Sequence, residues 1–394
     1  MSRFRLVSIS FLLFGLAPSL VKAGEPFRYP EGSHGKGSLK YVNGIPILTV
    51  EGTPDEIGEQ IGALAAKPAA KLLTYPKEVL KVFGFSLTWP LLVKEANAMV
   101  PNFPKDYLKE MDAEIKATGG DRDTLVVGNT MFDIKKLFAC STLIVEPERS
   151  ATKGPLFGRN LDFPTCGFLH EYTAVEIYKP KGKHAFAAVG FPGMLGVLSG
   201  VNDAGLSLAV LEVYSTADDS VRFDPAGTPY AMCFRRVLEE CTTVEEAEKA
   251  LRAMKRTTLL NLAVCDAKHG AVFELTPKHV EVRSADKGLC ASTNHFRTKE
   301  LCTRKECWRY NLLDKSQDMK TLGLDDIAKK LDEVNQGRLT LQTMIFEPAA
   351  LKLHLAFGKL PSSKLPLKEL DLKPLLKPDQ EKGDKQQPAL GIMR

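Results

Sequence analysis

Two short runs hold the residue types that could do acyl-transfer chemistry. FACSTL, Phe138 to Leu143, carries Cys140. About fifteen residues on, GRNLDF, Gly158 to Phe163, carries Arg159 and Asp162. A cysteine attacks a carbonyl as its thiolate, so it needs a base or a positive neighbour. In papain-like enzymes that base is a histidine, but their CGSCW-type signature is absent here. No histidine of the chain stands in a motif that marks it as a base. A second solution needs none. If the Ala139–Cys140 bond is cut, Cys140 becomes an N-terminal residue whose α-amine has an ordinary pKa of about 8. That amine can take the thiol proton directly or through water. Cys140 can make the cut itself, by attacking the preceding carbonyl in an N-to-S acyl shift.

The surrounding pattern brings the two runs together. CSTLIVE has the period-two look of a strand, PERSATKG reads as a turn, and PLFGRNLDF reads as the returning strand. A hairpin places Arg159 and Asp162 beside Cys140. Three residues of spacing put that pair on opposite faces of a regular strand, so a bulge or strand end is expected near Leu161. Upstream, IPILTV reads as the first strand. Thr53-Pro54 then opens a helix on which Ile57, Ile61, Leu64 and Ala65 share a face. Further helices are expected over 87–99, 104–118 and 124–138. Downstream come strands over 171–179, 184–190, 195–201 and 205–213, the last two joined by an Asn202–Gly205 turn. Helices follow over 229–240 and 243–254, then strands in LLNLAVCD, AVFELT and HVEVRS. Helices over 303–315 and 324–334 precede two last strands. The order suggests one α+β domain of antiparallel sheets covered by helices.

Taken in order, GTPDEIGEQIG, CSTLIVE, GRNLDF, GVNDAGLSL and STNHF resemble the N-terminal-nucleophile (Ntn) hydrolases of the linear-amide group. That group includes choloylglycine hydrolases, acid-ceramidase-like amidases and penicillin acyltransferases. The likeness runs from about residue 50 to 375. The first run follows the penicillin acyltransferase pattern G-x-x-x-E-x-G-x-x-x-G most closely. The resemblance implies a four-layer αββα sandwich and roles for particular residues. Cys140 matches the nucleophile and Arg159 the arginine whose charge favours the thiolate. Asp162 matches the aspartate that orients the freed α-amine. Asn294 matches the asparagine whose side-chain amide donates to the oxyanion. A second donor in relatives is a backbone N–H that falls at Glu212, where choloylglycine hydrolases have asparagine. A late arginine recurs, and Arg309, in WRY, is preferred to Arg304 for it. The implied chemistry is hydrolysis of a linear, non-peptide amide, or transfer of its acyl group, through a thioester on Cys140. No metal or organic cofactor is called for. A non-catalytic binding protein on the same fold and a histidine-assisted cysteine protease remain the alternatives.

The rest of the chain sets the context. Its 394 residues are 44% apolar and 26% charged, ordinary for a soluble globular protein with ample core. Residues 1–23 read as a signal peptide: two arginines, a short apolar stretch broken by Gly15 and Pro18, and Val21-Lys22-Ala23 as the cleavage pattern. An exported protein is therefore expected, whether periplasmic, secreted or lumenal, with no stable membrane anchor after cleavage. Losing Arg3, Arg5 and Lys22 takes the net charge from +5 to +2. That balance offers no electrostatic reason to expect nucleic acid as a partner. The expected partner is a small N-acyl amide or other acyl donor. The expected parts are a helical small chain (24–139), a catalytic core (140–377) that stays associated with it, and a disordered tail (378–394). An assembly of identical copies is compatible with this. With Cys140 set aside, seven cysteines remain, so at least one more stays free. A Cys302–Cys307 bridge is expected ahead of zinc at Cys290, His295, Cys302 and Cys307, whose spacing lacks CxxC pairs.

Overall fold

The computed structural model describes residues 26–134, 136 and 139–377. The expected signal peptide and tail lie outside them. The chain opens with β1 (Gly32–His34), β2 (Gly37–Val42) and β3 (Ile45–Gly52). Five helices follow: α1 (Pro54–Ile61), α2 (Tyr75–Val82), α3 (Trp89–Met99), α4 (Lys105–Thr118) and α5 (Arg122–Ile134). Next come β4 (Ala139–Val145), β5 (Leu156–Asp162), β6 (Ala174–Pro180), β7 (Phe186–Gly190), β8 (Ser199–Asn202) and β9 (Ser207–Glu212). After α6 (Tyr230–Glu240) and α7 (Val244–Ala253) run β10 (Leu260–Cys265), β11 (Gly270–Leu275), β12 (Val280–Ser284) and β13 (Leu289–Ser292). Helices α8 (Trp308–Asp314) and α9 (Leu324–Glu333) precede β14 (Thr340–Glu347), β15 (Lys352–Phe357), β16 (Lys368–Asp371) and α10 (Lys373–Leu376).

The strands form two sheets. One has the order β1-β2-β3-β6-β7-β8-β9-β10-β11-β12, the other β13-β4-β5-β14-β15-β16. Every pairing is antiparallel except β3 with β6. Strand alternation separates two cores. Cys140, Ile144, Phe157 and Leu161 face the large sheet and join its core. Leu143, Val145 and Leu156 face the other way and pack with Leu313 of α8 and Ile327 and Leu331 of α9. On the far side of the large sheet, the Arg235 guanidinium of α6 lies over the rings of Tyr107 (α4), Tyr178 (β6) and Phe186 (β7). The result is the expected α+β arrangement in four layers, αββα.

The GTPDEIGEQIG run is structural. Thr53 caps α1, with Glu56 closing a capping box. Gly52 has φ +127°, and a Cβ there would run into the Glu56 carboxylate. A Cβ at Gly58 would strike the Glu110 carbonyl of α4, and one at Gly62 the Ala117 methyl, so the glycines let two helices touch along their backbones. The first strand expected from sequence is the third, because two short strands precede it. They put part of the 24–139 segment on the edge of the large sheet. Helix α5 spans 122–134 rather than 124–138, and residues 135, 137 and 138 lie outside the described part. Helix α8 begins at Trp308 rather than 303. No helix among the described residues is long and apolar enough to cross a membrane.

Candidate active site

Strand β4 presents Cys140 at its second position. Antiparallel register sets Cys140 opposite Leu161, Ala139 opposite Asp162 and Thr142 opposite Arg159. Cys140 and Arg159 therefore share the face between the sheets. Arg159 is wholly buried, and its Nη1 crosses to the Val210 carbonyl of β9 at 2.9 Å. Asp162 takes the other face, as a three-residue spacing requires. It is the last residue of β5, and the register slips beside it on β14, between Thr340 and Gln342. The strand end expected near Leu161 is present at Asp162, and the neighbouring strand adds a register slip. It lets the Thr340 hydroxyl donate to Asp162 Oδ1 at 2.5 Å.

Two distant side chains hold the main chain of Cys140. Asn294, just past β13, accepts the Cys140 N–H on its Oδ1 at 2.9 Å and donates its Nδ2 to the Glu212 carbonyl at 2.8 Å. Arg309, on the first turn of α8, donates from Nη1 to the Cys140 carbonyl at 2.7 Å and from Nη2 to Asn294 Oδ1 at 2.8 Å. The same Nη1 lies 3.8 Å from Asp162 Oδ2. All six sequence-derived residues, Cys140, Arg159, Asp162, Glu212, Asn294 and Arg309, converge. Arg304 is exposed. Glu212 enters through its carbonyl, which accepts from Asn294, and its side chain is buried as well.

Burial shapes the titration of these groups. It pushes the Cys140 thiol up, against the pull of the Arg159 charge. The thiol has no solvent-exposed surface. Burial also lifts Asp162 to about 6, opposed by the Thr340 hydrogen bond and by Arg309 and Arg159. Sequence reading missed a second shelf of polar groups beneath. Lys136 donates to the Leu259 carbonyl at 2.8 Å, and burial lowers it to about 8 while Glu212 and Asp133 resist. Asp133 is lifted by burial to about 7; it accepts from the Tyr230 N–H at 3.0 Å and from the Thr257 hydroxyl. Tyr214 lies at the open side of the cluster, within electrostatic reach of Glu212, Cys140 and Arg309. No motif marks these residues; only their convergence does.

The expected Cys302–Cys307 bridge is not formed: all eight cysteines are free thiols. Cys307 instead faces Thr293, with the hydroxyl 3.5 Å from its sulfur, and His295 is near enough to influence its titration. Burial raises its pKa, but His295, Thr293 and the nearby Arg309 outweigh that and bring it to about 6. Cys290 does not join it around a metal; its sulfur meets Arg283 at 3.4 Å. The sole cluster of metal-ligating type among the described residues is Glu245, Asp266 and His269, far along the chain from these residues.

Next to the site lies an apolar cavity enclosing about 630 Å³ of space open to solvent. Tyr75, Phe132, Phe163, Leu169, Phe191 and Met194 contribute to its wall, and no charged side chain does. Phe163 directly follows Asp162, so the wall begins where β5 ends. Cys140 is not among the lining residues.

Residues 149–360, slightly more than half of the chain, match the model of the family described as acyl-coenzyme A:6-aminopenicillanic acid acyl-transferase. The span takes in Arg159, Asp162, Glu212, Asn294 and Arg309, with Cys140 just ahead of it. No curated protein sequence matches. Among solved structures, the chain is similar to a Caenorhabditis elegans N-acylethanolamine-hydrolyzing acid amidase ortholog, at 17% identity and TM-score 0.42, over 53% of this chain and 93% of that one. It is similar to a conjugated bile acid hydrolase from Clostridium perfringens at 16% identity and TM-score 0.43, over 59% and 92%. It is also similar to penicillin V acylase from Agrobacterium tumefaciens at 14% identity and TM-score 0.38, over 59% and 92%.

Proposed function

Since the chain belongs to the acyl-coenzyme A:6-aminopenicillanic acid acyl-transferase family, we propose that it is an exported, self-processing enzyme. It cleaves a linear amide, or transfers the acyl group, through a thioester on Cys140. One observation carries the reading: the main-chain N–H and C=O of Cys140 are each gripped by a buried polar side chain, Asn294 and Arg309. A strand residue normally spends those groups on its neighbours. A residue whose nitrogen must stay in place after its peptide bond is cut needs such a clamp.

In the first step the Cys140 thiol adds to the Ala139 carbonyl. The C–N bond breaks as the acyl group passes to sulfur, and water then hydrolyses the ester. The freed α-amine stays between Asn294 and Asp162, and Cys140 gains an open side. In turnover that amine takes the thiol proton, and the thiolate beside Arg159 adds to the substrate amide carbonyl. Donors at Asn294 and on the β9 edge near Glu212 stabilise the oxyanion. The leaving amine departs with the proton, and water or a second amine releases the acyl group from sulfur. The cavity at Phe163 suits a neutral, apolar acyl group.

Residues 1–23 would be removed on export, and the associated chains would be 24–139 and 140–394. Intact mass and denaturing electrophoresis test this directly. Two chains are expected, the second beginning with Cys140, and Cys140→Ala should leave one uncut, inactive chain. An active enzyme with the Ala139–Cys140 bond intact ends the proposal. A second reading rests on the Cys307–His295 pair, the arrangement a histidine-assisted cysteine hydrolase would need. Activity lost in Cys307→Ala and kept in Cys140→Ala would favour it.

A further inference from the structure

Nine large hydrophobic side chains stand exposed among the described residues, and five of them fall within ten consecutive positions: Val82, Phe83, Phe85, Leu87 and Leu91. Scattered singly they would need no account; clustered, they do. They form the turn between α2 and α3, where every residue from Lys81 to Leu87 is exposed. Leu87 is 96% exposed. The turn is well built. Gly84 takes φ +75°, and the Phe85 N–H returns to the Leu80 carbonyl at 2.6 Å. Val79 and Leu80 before it and Leu92, Ala96 and Met99 after it are buried, so the hairpin is anchored and only its tip projects.

Lysines outnumber acids around the tip, and Glu78 pairs with Lys81 at 3.6 Å. Lys67, Lys71, Lys77, Lys81 and Lys94 are all exposed, while Glu78 and Glu95 are half-buried. Lys77 lies 4.7 Å above the ring of Trp89, at the base of the tip. A convex apolar tip, an amphipathic tryptophan at its base and a collar of lysines match the interfacial region of an anionic bilayer. A protein partner fits less well, because a stable protein interface uses about 20–30 residues a side and this tip offers ten.

We propose that the α2–α3 turn seats reversibly on an anionic phospholipid surface and brings the apolar cavity to acyl amphiphiles held there. The second half rests on the function proposed above. Its structural link is that Leu72, Leu73, Tyr75 and Pro76, at the base of the same hairpin, line the cavity. The anchoring itself needs no catalysis.

Sedimentation of the full protein with phosphatidylcholine vesicles, with and without phosphatidylglycerol, tests it. Binding is expected with the anionic vesicles at low salt and should weaken as salt rises. Leu87→Ser with Phe85→Ser should abolish most of it, with no change in the thermal melt. Each charge lost in Lys77→Gln or Lys81→Gln should weaken it by roughly fivefold. Trp89 is one of only two tryptophans; in a Trp308→Phe background its emission should shift to the blue on binding. Cys140→Ala should bind as the native protein does, which separates failure of the anchor from failure of the proposed function. Unchanged binding by the double serine variant overturns the proposal. So does absence of binding to anionic vesicles, whether the protein is then monomeric or joins a second copy through this tip.

Discussion

Asn294→Ala removes the side chain that ties Cys140 to the large sheet. Asn294 accepts from the Cys140 N–H and from Arg309 Nη2, and it donates to the Glu212 carbonyl. All of these atoms are in buried residues. Arg309 keeps a partner in the Cys140 carbonyl, while one buried N–H and one buried C=O each lose the bond Asn294 makes to them. At about 1–3 kcal/mol for each buried polar group left unpaired, the fold loses about 2–6 kcal/mol. Catalysis should lose more. If the Asn294 amide meets the oxyanion, its removal costs about 100- to 1000-fold in kcat, with little change in KM. Three readouts separate the effects: the thermal melt of the variant in a Cys140→Ala background, the rate of self-cleavage on refolding, and turnover of an N-acyl amide by whatever enzyme is processed. A variant that melts lower yet turns over within tenfold of native would refute the role given to Asn294 and leave it a packing residue.

Other predictions concern titration and the cavity. In a Cys140→Ala chain, alkylation of Cys307 should rise with pH through a midpoint near 6, because the thiolate reacts and is the form present above its pKa; His295→Ala should move the midpoint well above neutrality. A native midpoint near the ordinary cysteine value would remove the pair from consideration. Glu114 is buried with no hydrogen-bond partner for either carboxylate oxygen among the described residues, and burial raises it to about 8. It is neutral when folded and ionised when unfolded between about pH 4 and 8, so stability should fall as pH rises through that window and level off above it. Glu114→Gln should raise the melting temperature at pH 8 and leave it nearly unchanged at pH 4; an equal effect at both would contradict the sign. Gly128 lines the cavity, and a Cβ there meets nothing nearer than 3.9 Å. Gly128→Leu should hold or raise thermal stability and shift preference toward shorter acyl chains in a chain-length series. An unchanged preference would separate the cavity from the acyl group.

What was legible in the sequence was what neighbouring residues decide among themselves. Period-two alternation and a turn placed Cys140, Arg159 and Asp162 on one hairpin, because strand pairing across a short turn is a local matter. The Thr53 cap and the face of Ile57 and Ile61 were equally local. The resemblance named Asn294 and Arg309 but could not say what they hold. Asn294 lies 154 residues from Cys140, and their contact depends on β13 pairing with β4. The choice between Arg309 and Arg304 turned on where α8 begins: one side chain points inward from its first turn and the other sits in the irregular stretch before it. The slip on β14, the Lys136–Glu212–Asp133 shelf and the Cys307–His295 pair arise where separate elements meet in the interior. There, burial sets which charges persist and which thiol ionises. Residue types and local spacing thus determined the hairpin that carries Cys140, Arg159 and Asp162. Only the packing of two sheets decided that the thiol would be occluded and its pKa raised, because desolvation and charge pairing depend on neighbours that the chain order does not put side by side.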